Sequence, residues 1–95
     1  MQESIRGERR PPAAIFLLVG GDVVVRSSEI IAVLDQQALD AAPTREFIGF
    51  CRRKGQVEDL SGGALVKAAV VCQRRVLLSP FSGPTLRRRL TGTVR

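Results

Sequence analysis

The side chains able to do chemistry in this 95-residue chain are mostly guanidinium groups. Thirteen arginines and 2 lysines stand against 9 acidic residues, giving a formal net charge of +6 and an isoelectric point near 11.0. A guanidinium presents a planar fork of donors that matches phosphate and carboxylate, so nucleic acid is the first partner to consider. The cations gather in short runs, Arg52-Arg53-Lys54, Arg74-Arg75 and Arg87-Arg88-Arg89, with Lys67 standing alone. The chain has no His, Trp or Tyr, which removes the commonest general base, the commonest zinc ligand and most of the rings that stack on bases. Asp35, Asp40, Glu46, Glu58 and Asp59 show no pairing of the kind acid–base catalysis needs, and Cys51 and Cys72 have no histidine to activate them. The expectation is a protein that is no enzyme and uses neither metal nor cofactor.

At this length one small domain is expected, too small for a multidomain enzyme or a large substrate cleft. Two cysteines do not make the dense framework of a small secreted domain, so they are read as buried apolar groups in a reducing, cytoplasmic protein.

The elements that must position the cations follow from pattern. Residues 1–12 mix Arg6, Arg9 and Arg10 with Glu3 and Glu8 and end in Pro11-Pro12, which reads as a disordered tail. The seven apolar residues 13–19 behind it imitate a secretory signal. They are far fewer than the ~20 that span a bilayer, and no convincing cleavage site follows, so neither export nor a membrane partner is inferred. Gly20-Gly21-Asp22 followed by Val23-Val24-Val25 predicts a hairpin; the lysine and further glycines of a phosphate loop are missing. Residues 30–34 fit a helical face as well as a strand, and β-branched Ile30, Ile31 and Val33 tip the reading to strand, with Ser27-Ser28 as the turn before it.

Pro43, Glu46 and the run Phe47, Ile48, Cys51 predict a helix that ends at Arg52-Arg53-Lys54 and Gly55. Those three cations complement the helix dipole and are also available to nucleic acid. Residues 56–63 read as a connection that carries a brief strand. Residues 64–72 are apolar at nearly every position, the pattern of a strand covered on both faces. The second cover comes either from a partner subunit or from the helices of the same chain. Gln73-Arg74-Arg75 then forms the tip of an antiparallel hairpin with residues 76–79, and Leu86 and Leu90 mark one face of a last helix that holds Arg87, Arg88 and Arg89 outward and stops at Gly92. The fold class expected is α+β: a small, mostly antiparallel β-sheet with two short helices in a single domain.

The run from Leu18 to Val25, the segment from Glu29 to Asp35, Thr44-Arg45-Glu46-Phe47-Ile48, the stretch from Val70 to Ser82 and Thr85-Leu86-Arg87-Arg88-Arg89 resemble, in this order, the extracellular matrix regulatory protein B (RemB) family. The resemblance covers residues 15–91, leaving residues 1–14 as an N-terminal extension and residues 92–95 as a tail. It implies a bacterial regulator of extracellular matrix and biofilm genes, related to the DNA-binding RemA proteins, whose small sheet-rich subunits assemble as rings. The RemA branch carries an arginine pair in the glycine loop ahead of the long apolar strand; Ala64 and Leu65 stand there in this chain, and Glu29 stands where that branch has a basic residue.

Any contact with double-stranded DNA must therefore use other cations. Arg74 and Arg75 lead, with Lys67, Arg52, Arg53, Arg87, Arg88 and Arg89 beside them, all as phosphate contacts from a homo-oligomer. With no exposed rings expected, sequence would be read by arginines in a groove or through DNA shape. The alternative is an oligomeric protein-interaction scaffold that does not bind DNA itself, which Ala64 and Leu65 favour.

Overall fold

The computed structural model describes residues 15–91, so the expected extension over residues 1–14 and the tail 92–95 lie outside the described residues. The chain opens with strands β1 (Phe16–Gly20) and β2 (Val23–Arg26), passes through a 3-10 turn at Ser27–Glu29, and enters β3 (Ile30–Leu34). Helices α1 (Gln36–Leu39) and α2 (Ala42–Arg53) follow, then β4 (Val57–Asp59), β5 (Ala68–Cys72), β6 (Val76–Ser79) and α3 (Gly83–Thr91). β1 and β2 form a two-stranded antiparallel sheet; the second sheet has the order β3-β5-β6-β4, antiparallel except for the parallel pair β4–β6.

The α+β class is as expected, with two differences of detail. The strands divide into two sheets, because the 3-10 turn at Ser27–Glu29 redirects the chain between β2 and β3. A third helix, the single turn α1, is set by Asp35, whose Oδ1 accepts the Ala38 N–H at 3.0 Å. Four residues are too few for a helical period to be legible in sequence.

Strand β5 is covered on both faces by its own chain. Ala68, Val70 and Cys72 pack with Leu77 of β6, Leu17 and Val19 of β1, Val25 of β2 and Leu86 of α3. On the other face Ala69 packs with Val76 and Leu78 of β6 and with Ile48 and Cys51 of α2. Three layers result: α2, the four-stranded sheet, and the hairpin with α3. The strand begins at Ala68 and not at residue 64, since Gly62 and Gly63 take left-handed φ values of 63° and 92° and Ala64 N–H turns back to Ser61 O at 3.1 Å. Pairing starts where Lys67 N–H reaches Ser79 O at 2.8 Å.

The hairpin buries Leu17, Val19 and Val25 and leaves Phe16, Leu18 and Val24 outward. Burial of three such side chains stabilises by about 1.5–3 kcal/mol each, while ordering each backbone residue costs about 1–2 kcal/mol, so two strands alone are not stable and must dock. The dock is tight: a Cβ on Gly20 would lie 2.8 Å from Leu60 Cβ and 2.9 Å from its carbonyl oxygen. It is also hydrogen-bonded, because the buried hydroxyl of Ser79 donates to Val19 O at 2.5 Å and accepts the Phe81 N–H at 3.0 Å. Ser79→Ala leaves the Val19 carbonyl without its donor inside the core, and is expected to lower the unfolding free energy by about 1–3 kcal/mol in urea denaturation. A loss below about 0.5 kcal/mol would contradict this role.

Candidate nucleic-acid interface

Strand register places the cations. β5 ends and β6 begins at the Gln73-Arg74-Arg75 turn, where Ile30 lies opposite Cys72 and Val57 opposite Val76. The first residues of β3 and β4 therefore meet at this same end of the sheet, as does the segment leaving α2. That helix starts with Pro43 in its first turn and closes with Lys54 as its C-cap; Gly55 follows at φ 72°, and Gln56 O accepts the Val76 N–H at 2.8 Å. Arg53, Lys54, Arg74 and Arg75 thus gather at one end of the molecule.

Their circumstances differ. The turn itself is fixed by Cys72 N–H donating to Arg75 O at 2.8 Å. Arg75 Nη1 donates to Glu58 Oε1 at 3.4 Å, with both side chains about half exposed, a pair of the kind worth at most about 1 kcal/mol. It orients Arg75 more than it stabilises the fold. Arg74 is exposed and has no side-chain partner among the described residues. Arg52 lies on the flank of α2 facing Asp59. The Asp59 carboxylate is held below its usual pKa first by its hydrogen bonds from Ser61 and, in smaller part, by Arg52.

The remaining expected contacts lie elsewhere. Lys67 precedes β5 and so sits at the opposite end of the sheet. On α3, Arg87 Nη1 donates to Val33 O at 3.1 Å and Nη2 approaches Asp35 Oδ2 at 3.7 Å. Arg89 lies 4.6 Å over the Phe81 ring and donates to Leu18 O at 3.4 Å. Arg87, Arg88 and Arg89 are all exposed, as expected from sequence, and Arg87 and Arg89 are in addition clamps between α3, β3 and the hairpin. Arg88 alone of the three is exposed without a partner among the described residues. The Arg87 clamp needs close approach, since a Cβ on Gly83 would stand 2.9 Å from Asp35 Cβ.

Rings are exposed after all. Of four phenylalanines, Phe16, Phe47 and Phe50 are 61%, 43% and 50% exposed. Of the run Phe47, Ile48, Cys51 that marks this helix in the sequence, Ile48 and Cys51 are buried, while Phe47 turns with Phe50 to the flank of α2. There they line a groove of about 300 Å³ with Ile31 and with the turn residues Gln73, Arg74 and Arg75. Lys54 Nζ lies 5.1 Å over the Phe50 ring. The sequence signal for this flank is the apolar arc Phe47, Ile48, Phe50, Cys51, too broad for one helix–sheet contact.

Ala64 and Leu65 lie in the connection between β4 and β5, and Leu65 is 65% exposed. Among the described residues no helix is long and apolar enough to cross a membrane. Residues 16–90 match the family described as extracellular matrix regulatory protein A-like, or RemA-like. No curated protein matches the chain.

Both cysteines are unpaired and buried. Burial pushes the Cys72 thiol above its ordinary value, against the pull of Arg75 and with the help of Glu29. The unfolded chain then gives up this proton at lower pH than the folded one. Stability from this site is complete below the ordinary thiol value of 9.0 and falls as pH rises through the folded pKa. Denaturation midpoints are expected to decline on that alkaline side less steeply in Cys72→Ala than in the parent chain. Equal slopes would contradict it.

Proposed function

The chain belongs to the RemA-like family of extracellular matrix regulatory proteins, and from this we propose that it regulates bacterial matrix and biofilm genes as a cytoplasmic homo-oligomer bound to double-stranded DNA. We assign it to the family's B branch, on the ordered resemblance across residues 15–91 and on Ala64 and Leu65 where the A branch carries its arginine pair.

The observation that carries the DNA reading is Arg74, exposed and unpartnered among the described residues on a hydrogen-bonded turn, with Arg75, Lys54 and Arg53 at the same end of the sheet. A cation on a rigid backbone spares the cost of ordering the main chain when a phosphate arrives, so only side-chain freedom is lost. Lys67 faces the other end, and Arg87 and Arg89 are engaged within the fold, so the contact set narrows to Arg74 and Arg75 with Arg53 and Lys54. Repetition of a small cationic site around an oligomer turns weak contacts into tight binding.

Four carboxylates serve structure: Asp35 caps α1, Glu58 orients Arg75, Asp59 accepts from Ser61 N–H at 2.9 Å, and Glu29 accepts from Arg26 N–H at 3.3 Å. This supports a binding protein in place of an enzyme.

Self-association is supported by the outer face of the hairpin, where Leu18 pairs across the strands with Val24 and Phe16 with Arg26, an exposed apolar patch that a second copy would cover. The same patch, with exposed Leu65, favours the second reading, a protein scaffold that does not touch DNA.

Fluorescence anisotropy of labelled duplex DNA across a salt range separates the readings. For a DNA-binding regulator, affinity falls steeply with salt, and Arg74→Glu with Arg75→Glu abolishes binding. The milder Arg74→Gln/Arg75→Gln pair lowers the log–log salt slope by about 2, as expected for two lost phosphate contacts. Glu58→Gln, which releases Arg75, tightens binding. A duplex that never binds at low salt, or binding indifferent to Arg74 and Arg75, moves the assignment to the scaffold. Leu18→Glu is expected to shift the mass measured by analytical ultracentrifugation toward the monomer; an unchanged mass would remove the hairpin face from the interface.

A further inference from the structure

We propose that the groove between α2 and the β5–β6 turn binds an unpaired nucleobase carrying a phosphate, the base on the phenylalanines and the phosphate on Arg74. The proposal rests on the reading of Arg74 and Arg75 as phosphate contacts and adds to it a second recognition chemistry. Phe47 and Phe50 stand one turn apart on α2, about half exposed, with Ile31 of β3, 65% exposed, lining the same groove. Nothing in the fold's own packing requires two rings here, because Ile48 and Cys51 already make the contact with the sheet. A flat aromatic ligand removes these faces from water and gains stacking that an aliphatic ligand does not.

The polar groups around the rings supply the rest of a nucleotide's chemistry. Gln56 and Gln73 line the groove, and each amide offers both donors and an acceptor to a base edge. Arg74 at the rim meets the phosphate, and Lys54, 5.1 Å over Phe50, adds positive charge. The volume, about 300 Å³, is at the small end of the range for ligand sites, roughly 300–1,000 Å³. It fits one base with its phosphate and is far too small for a helix or a duplex. A paired base hides its faces in the stack, so the site selects for bases that are free or splayed from a strand.

The shared chemistry has two sources, a free nucleotide or an unpaired base within a strand, and 2-aminopurine distinguishes them because stacking quenches its emission. The chain has no Trp or Tyr, so the probe is read without protein background. Full-length protein is titrated into 2-aminopurine nucleoside 5′-monophosphate, into a single strand bearing one 2-aminopurine, and into the same strand annealed to its complement, with anisotropy of an end label recorded for both strand arms. Quenching in the nucleotide arm identifies a small-molecule ligand, and quenching in the single-strand arm alone identifies a strand; either supports the site.

Phe47→Leu and Phe50→Leu keep apolar area while removing the ring, and each is expected to weaken the quenched complex by about tenfold. Arg74→Gln weakens affinity while leaving the quenching at saturation unchanged. Duplex binding by anisotropy with no quenching in any arm overturns the base site and leaves the DNA-binding reading standing. Quenching with no duplex binding does the reverse. Full affinity in both leucine variants overturns the stacking role, and no signal in any arm overturns both readings.

Discussion

A strand with no polar position has no face it can leave in water, and the arrangement of this protein follows from giving β5 two covers. Ala68, Val70 and Cys72 look one way and Ala69 the other, so the four-stranded sheet cannot lie at the surface as a one-sided antiparallel sheet does. The small alanines at the start of β5 let its neighbours approach closely, and β6 is buried along its whole length beside it. Helix α2 closes one side. The other side needs both the β1–β2 hairpin and α3, because each of these contributes too few apolar side chains to cover it alone. The cation-bearing turn inherits its rigidity from this: Gln73-Arg74-Arg75 joins the two most deeply buried strands of the molecule.

Net charge overstates the charge available to a partner. Arg87 and Arg89 each give one donor to a backbone carbonyl, of β3 and β1, Arg87 also approaches Asp35, Arg75 shares Glu58, and Arg45 Nη1 donates to Asp40 O at 2.8 Å. Contacts to carbonyls leave the positive charge in place but fix where it points, whereas the Glu58 pair partly cancels it. Of the unshared cations among the described residues, Arg53 and Arg74 lie at the end of α2 and at the adjacent turn, while Arg88 on α3 and Lys67 ahead of β5 stand apart. Apolar surface is divided in a similar way, between the outer face of the hairpin and the flank of α2, so a protein contact and a small-ligand contact need not compete for the same residues.

Much of this was legible in order along the chain. The hairpin around Gly20-Gly21, the β-branched β3, helix α2 with Pro43 and Gly55 at its two ends, and the β5–β6 hairpin with its arginines each carry a local signal that tertiary contacts reinforce. Three things had no local signal. The function of Arg87 and Arg89 depends on where β1 and β3 lie, more than fifty residues away in sequence. The start of β5 at Ala68 depends on the left-handed glycines 62 and 63 turning apolar Ala64 and Leu65 into a connection. The exposure of Phe47 and Phe50 depends on α2 meeting the sheet through only part of its apolar arc. Residue types located the candidate chemistry, and packing decided which of those residues remain free to perform it.

The hydroxyl of Ser79 reaches back 60 residues to the Val19 carbonyl, and that separation orders events during synthesis. The hairpin emerges from the ribosome ahead of Ser79, with a short loop it can close on the microsecond scale. Its anchor, together with Leu77 and Leu86 that complete the cover on its inner face, is made 60 residues later. At roughly 5–20 residues per second, Leu17, Val19 and Val25 spend several seconds unburied while Phe16, Leu18 and Val24 are exposed on the opposite face. During that interval the nascent chain presents a short two-sided apolar ribbon. An element made early is thus secured late, and it has much to gain from a chaperone, or from a neighbouring copy, until its anchor is made.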